Sequence, residues 1–186
     1  MFDEHCRAQI AVVVLVGLAG CGGSGSVTTP SAPPPVAPSA AVAGSGISAL
    51  SSEVVAALDR TLQDEYHAER IYLGVLGDFG DVRPFANVVY AEQRHSESIA
   101  RLYGNHGLVA PESLWSVDNV PHFGSPAEAC AAAVSAELEN VALYDAQMAL
   151  DLPRDVRNVF ENNRAASLER HLPAFQACAC RTCPAS

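Results

Sequence analysis

The sequence predicts an all-α domain, a four-helix bundle of two antiparallel hairpins joined by a long crossover. Three observations point there. Four stretches carry core-type residues at alternating spacings of three and four, which places each set on one face of an α-helix. Strand signals, runs of alternating apolar and polar residues rich in β-branched side chains, are weak throughout. Two of the connections between these stretches are five residues or shorter, which demands antiparallel neighbours, whereas the middle one has about 20.

The first helix is expected over residues 52–78, with the stripe Leu58, Leu62, Glu65, Glu69, Tyr72 and Leu76. The turn Phe79-Gly80-Asp81-Val82-Arg83 leads to a second helix over 84–105, where Pro84 suits the first helical position. Its stripe is Phe85, Val88, Glu92, His95, Ile99 and Leu102. The third helix is expected over 126–150. Ser125-Pro126-Ala127-Glu128 reads as a capping box with proline at the first helical position. The stripe that follows is Cys130, Val134, Glu137, Val141, Tyr144 and Met148. After Asp151-Leu152-Pro153, the fourth helix is expected over 154–178, with Phe160, Arg164, Ser167, His171, Ala174 and Cys178 facing inward. The segment from Gly104 to Ser125 is long enough to run the length of a ~22-residue helix, about 33 Å. Two hairpins and one long crossover make the ferritin-like arrangement.

All four core stripes carry polar or ionisable residues: Glu65 and Glu69, Glu92 and His95, Glu137, and Ser167 and His171. A buried unpaired carboxylate costs several kcal/mol or protonates. Counted from the helix ends, these side chains fall in one layer, within about two turns. Glu92-Gln93-Arg94-His95 is an ExxH element, whose i, i+3 spacing aims a carboxylate and an imidazole at one point. The expected ligand set is Glu65, Glu92, His95, Glu137 and His171, with Glu69 as a further candidate. Carboxylates and imidazoles without thiolate suit iron, manganese or zinc. Tyr72 and Tyr144 are candidates to hydrogen-bond the ligand carboxylates. The competing reading is a metal-free buried polar network that fixes helix register. Glu69 has its own alternative as a solvated partner of Arg70 or Arg94, and His67, His106 and His122 read as surface residues.

The segments Asp64-Glu65-Tyr66-His67-Ala68-Glu69, Val82-Arg83-Pro84-Phe85, Ala91-Glu92-Gln93-Arg94-His95, Ala136-Glu137-Leu138-Glu139-Asn140-Val141-Ala142-Leu143-Tyr144-Asp145 and Arg170-His171-Leu172-Pro173-Ala174-Phe175 resemble the ferritin-like family catalogued as domain of unknown function 2202. The resemblance covers about residues 50–178 and implies a ferritin-like four-helix bundle. That family has no assigned activity. The wider di-iron carboxylate group, which includes rubrerythrins and bacterioferritins, pairs one Glu with an ExxH in each hairpin. By that pattern Glu65, Glu92 and His95 form one half-site, and Glu137 and His171 belong to the other. The sequence departs from it at Leu168, three residues before His171, where the pattern has Glu; Glu169 lies about 160° around the helix from His171. Glu69 could compensate, or the site could hold one metal or an asymmetric pair. If Leu168 is the cause of a weak second half-site, Leu168→Glu should rebuild an ExxH with His171.

Ahead of the domain, Ile10 to Leu18 is an apolar run of nine residues, too short to span a bilayer as a helix. It ends in Leu18-Ala19-Gly20-Cys21, which resembles the lipobox of bacterial lipoproteins and implies lipidation at Cys21. Residues 1–20 are thus expected to be a signal peptide. Residues 21–46, uncharged and rich in Gly, Ser, Pro and Ala, read as a flexible spacer. The folded domain is expected over 47–180, followed by a short tail, 181–186. Four cysteines remain in an exported, oxidising setting: Cys130, Cys178, Cys180 and Cys183. Cys130 and Cys178 lie on facing stripes, each seven residues from Glu137 or His171 toward the same end, so a disulfide is expected between them. It would close a loop of about 48 residues, giving roughly 3–4 kcal/mol. Pairing of Cys130 with Cys180 or Cys183 is the alternative; otherwise Cys180 and Cys183 pair locally or stay reduced.

The chain carries 21 acidic residues against 11 basic ones, for a net charge of −10. All 11 basic residues are arginine. That argues against nucleic acid as a partner and against a polybasic membrane surface. The partners expected are metal ions and, through the lipid alone, a membrane; a homodimer is an open alternative. The function these features predict is an envelope-tethered ferritin-like protein with a carboxylate–histidine iron centre, working as a ferroxidase or consuming peroxide. The competing class is a non-catalytic metal-binding or envelope interaction module.

Overall fold

The computed structural model describes residues 50–181. The signal, the spacer, Cys6, Cys21 and Cys183 lie outside the described residues. Within them the secondary structure is all helical, without a strand. No helix among the described residues is long and apolar enough to cross a membrane.

Helix α1 spans Ser52–Phe79. Ser51 caps it by accepting a hydrogen bond from the Val54 N–H at 3.3 Å. It stops at Gly80, whose φ of 78° lies in the left-handed region open to glycine. Helix α2 spans Phe85–Asn105. Pro84 sits one position earlier than expected, as the residue flanking the helix, not its first member. Helix α3 spans Pro126–Met148, with Ser125 Oγ accepting from the Glu128 N–H at 3.2 Å. The reciprocal half of the expected capping box is displaced by one residue: Glu128 Oε2 accepts from the Gly124 N–H at 2.9 Å.

The last helical run lies where it was expected but differs in winding and at two stripe positions, Asn163 and Phe175 facing inward in place of Arg164 and Ala174. It comprises α4, Arg154–Ala166, a π-helical turn at Ser167–His171, and α5, Leu172–Arg181. In the wider turn the Leu172 N–H bonds back to the Ser167 carbonyl, five residues earlier. The inward stripe is Val156, Phe160, Asn163, Ser167, His171, Phe175 and Cys178. Arg164 is displaced to the flank, where its guanidinium grips the Asp145 carboxylate at 2.5 and 3.0 Å. On the flank the arginine has a charged partner while its head group stays in part in water.

Contacts along the helices fix their relative directions. Asp59, Glu65 and Tyr72 of α1 meet Tyr103, His95 and Phe85 of α2, in descending order. Cys130, Glu137 and Tyr144 of α3 likewise meet Cys178, His171 and Phe160. Both pairs are therefore antiparallel. The Cys130–Cys178 disulfide has formed, with a Cα–Cα distance of 5.9 Å. Cys180 is also disulfide-bonded.

The core has two apolar regions with a polar layer between them. One region contains Leu58, Leu62, Ile99, Tyr103, Val156 and Phe160. The other is an aromatic trio, Tyr72, Phe85 and Phe175, with ring centroids 5.0–5.4 Å apart. The crossover lies along α1. The Gln63 side chain clamps it by donating to the Glu112 carbonyl and accepting from the Leu114 N–H. Trp115 stacks on His67 at 4.0 Å, and His122 bonds Asp78 at 2.7 Å. Only His122 of the three histidines read as surface residues is exposed; His67 and His106 are half-buried.

Candidate metal centre

The polar layer consists of Glu65 from α1, Glu92 and His95 from α2, Glu137 from α3 and His171 from the π turn. Each is at most 8% exposed. They sit inward because the three-four spacing leaves them on stripes whose other members are mostly apolar. Two trios arise, Glu65–Glu92–His95 and Glu92–Glu137–His171, each with its ligand atoms within 4.8 Å of one another. Glu92 belongs to both. Its Oε2 lies 3.0 Å from His95 Nδ1 and its Oε1 lies 3.0 Å from His171 Nδ1. Glu65 Oε2 is 3.2 Å from His95 Nδ1, and Glu137 Oε2 is 3.5 Å from His171 Nδ1. The two imidazoles are stacked at 5.4 Å. The di-iron pattern put Glu92 in the first half-site alone; the geometry makes it common to both groups.

Tyrosines hold the outer carboxylates. The Tyr144 hydroxyl donates to Glu65 Oε1 at 2.5 Å, and the Tyr72 hydroxyl donates to Glu137 Oε1 at 2.8 Å. Asn163 donates to the Tyr144 oxygen at 3.1 Å, and Asn140 donates to Asp64 at 2.8 Å. Sequence reasoning missed both asparagines. A signal existed: Asn140 follows Glu137 by three residues and Asn163 precedes Ser167 by four, so both share a face with a stripe residue. Because the Tyr144 hydroxyl satisfies two buried groups, Tyr144→Phe should destabilise the fold by about 1–3 kcal/mol. Thermal denaturation would measure it; an unchanged midpoint would show that Glu65 and Asn163 find other partners.

The electrostatics follow from burial and contact. Burial raises the Glu65 carboxyl above the usual range, and His95 only partly offsets it. Glu92 is also penalised by burial, but the imidazoles of His171 and His95 prevail and hold it low. Burial pulls both histidines down. The carboxylates of Glu65 and Glu92 reverse this at His95, holding it at about 10, and those of Glu137 and Glu92 hold His171 at about 9. Burial, with the neighbouring Glu65, Glu92 and Glu137, raises Asp64 to about 7 against the pull of Asn140.

Two atoms test whether a cation fits. Glu92 Oε1 and His171 Nδ1 are buried and 3.0 Å apart; they pair by charge when the imidazole is protonated, but without the alignment of a hydrogen bond. Buried polar atoms without an aligned hydrogen bond are rare. A cation that displaced the imidazole proton would bond both atoms, and a carboxylate oxygen with an imidazole nitrogen is a donor pair for iron, manganese or zinc.

Two expectations need correction. Glu69 joins neither trio; it accepts from Gln93 at 3.1 Å and lies 3.7 Å from Arg70. Leu168 is not the residue that shares a face with His171. In five-residue hydrogen-bonded winding the position one turn back is Ser167, which is buried, with its hydroxyl unbonded, while Leu168 is half-buried. Ser167→Glu, not Leu168→Glu, should therefore raise metal stoichiometry in a folded variant. Equal stoichiometries for the two variants in elemental analysis would refute this.

No family model matches the chain, and no curated protein or solved structure matches it.

Proposed function

We propose that this is a ferritin-like metal protein of the bacterial envelope, akin to the family its motifs resemble, with a two-position carboxylate–histidine centre for iron. The observation that carries the reading is the meeting of two buried trios at Glu92, with one carboxylate oxygen and one imidazole nitrogen 3.0 Å apart and outside hydrogen-bond geometry. Iron bound there would supply electrons to dioxygen or peroxide. Glu65 and His95 would hold one position, Glu137 and His171 the other, and Glu92 would serve both. The carboxylates favour the more highly charged oxidation state, because three of them face two imidazoles. Tyr72 and Tyr144 keep the outer carboxylates aimed inward. The apolar regions above and below keep water from entering along the bundle axis. Lipidation at Cys21 and the uncharged spacer after it would tether the domain to a membrane.

Anaerobic ferrous loading, desalting and elemental analysis test the reading. One or two ions per domain are expected, and none would overturn it. Rapid metal-dependent consumption of peroxide or oxygen would then separate an oxidoreductase from a non-catalytic metal-binding module.

A further inference from the structure

A cleft of about 90 Å³ opens between α1 and α3 and is lined at its buried end by Glu92, Glu137 and Tyr72. Two members of the Glu92–Glu137–His171 trio line it, Glu92 and Glu137, but only Glu92 of the other; Glu65, His95 and His171 do not, so it approaches the two trios unequally. We propose that this cleft admits small divalent cations to the Glu92–Glu137–His171 trio, with Asp64 and Asn140 as transit ligands; the inference rests on the metal-centre reading above.

The lining of the cleft sets the first constraint. A divalent ion in water carries about six oxygens in octahedral geometry. To reach buried ligands it must shed part of that shell, and the walls must supply oxygen in exchange. They do. Asp64 is half-buried in the wall, and Asn140 beside it is 8% exposed. The Asn140 amide nitrogen is engaged by Asp64 and Glu65, but its Oδ1 is buried with no hydrogen-bond partner. That orphaned oxygen is an acceptor with nothing to accept, next to a carboxylate, on the way to the trio. Glu139 adds an exposed carboxylate. The acidic groups thus descend from exposed to half-buried to buried, a gradient that draws cations inward and repels anions. The doorway exists because Ala68 and Ala136 are the wall residues where the two helices would otherwise close it with larger side chains.

The test is kinetic. Metal-free full-length domain is mixed anaerobically with Co²⁺ in a stopped-flow spectrometer, and final content is measured by elemental analysis. Ala136→Leu narrows the doorway and Asp64→Asn removes the transit charge in a nearly isosteric way. Each should slow loading by about tenfold or more and leave the final stoichiometry unchanged. Loading of both variants at the wild-type rate overturns the route. A lower final stoichiometry in Asp64→Asn makes Asp64 a resident ligand and overturns its transit role. A wild-type protein that takes up no metal overturns the metal-centre reading itself, an outcome distinct from the other two.

Discussion

If the two trios hold metal as proposed, replacing Glu92 by Gln should empty both positions, whereas Glu65→Gln and Glu137→Gln should each empty one. The difference follows from geometry: Glu92 places one oxygen 3.0 Å from His95 and the other 3.0 Å from His171, while the outer glutamates each face a single imidazole. Partners that merely orient a ligand are worth 10–100-fold in metal affinity, so loss of a charged ligand common to two ions should exceed about 100-fold at each. Glutamine keeps the shape and lacks the charge, so the variant can fold with a satisfied core. Elemental analysis after ferrous loading, with circular dichroism as the check on folding, decides the matter. Glu92→Gln with full metal content would falsify the shared position, and equal losses in all three variants would show that the two positions fill only together.

Removal of the disulfide as Cys130→Ala with Cys178→Ala should lower stability by about 4 kcal/mol in the chain-entropy account. The separation of 48 residues sets that figure. Alanine avoids leaving a reactive thiol, and both cysteines are buried, so the lost sulfurs add a cavity cost in the same direction. Chemical denaturation of metal-free protein should show it, with a melting temperature lower by on the order of 10 °C. A change below about 1 kcal/mol would mean that the unfolded chain is already restrained elsewhere. Each cysteine lies seven residues from a trio member, Glu137 or His171. The same variant should therefore loosen the second metal position more than the first.

Much of this architecture was legible in the residues. The three-four spacings located α1, α2 and α3 to within two residues at either end, because each helix carries a mostly apolar stripe along its whole length and two of them have a serine cap. The buried layer was legible for the opposite reason: Glu65, Glu92, His95, Glu137 and His171 interrupt those stripes where an apolar residue would be cheaper. The last helix was less transparent. Phe160-Arg164-Ser167 and Phe160-Asn163-Ser167 both satisfy a three-four rhythm, and only the Asp145 partner across the groove decides that Arg164 turns out. The π turn has no periodic signature, since a single wide turn shifts the phase of Phe175 against Ala174 without disturbing the spacing elsewhere. Glu92 serving two imidazoles depends on how its carboxylate is rotated, and spacing says nothing about that. The cap at Ser125 shows the same limit on a smaller scale: Glu128 does reach back, but to the neighbouring amide.

The stacking of Trp115 on His67 has a practical consequence. The chain has one tryptophan, so all indole fluorescence originates at a single point, where the crossover rests on a residue that also lines the cleft. Burial keeps the His67 imidazole below its ordinary pKa, and hence neutral near pH 7. An ion lodged beside it, or a crossover lifted from α1, would each change the surroundings of that indole. The molecule thus carries its own optical label, and emission could follow the doorway in real time without any dye.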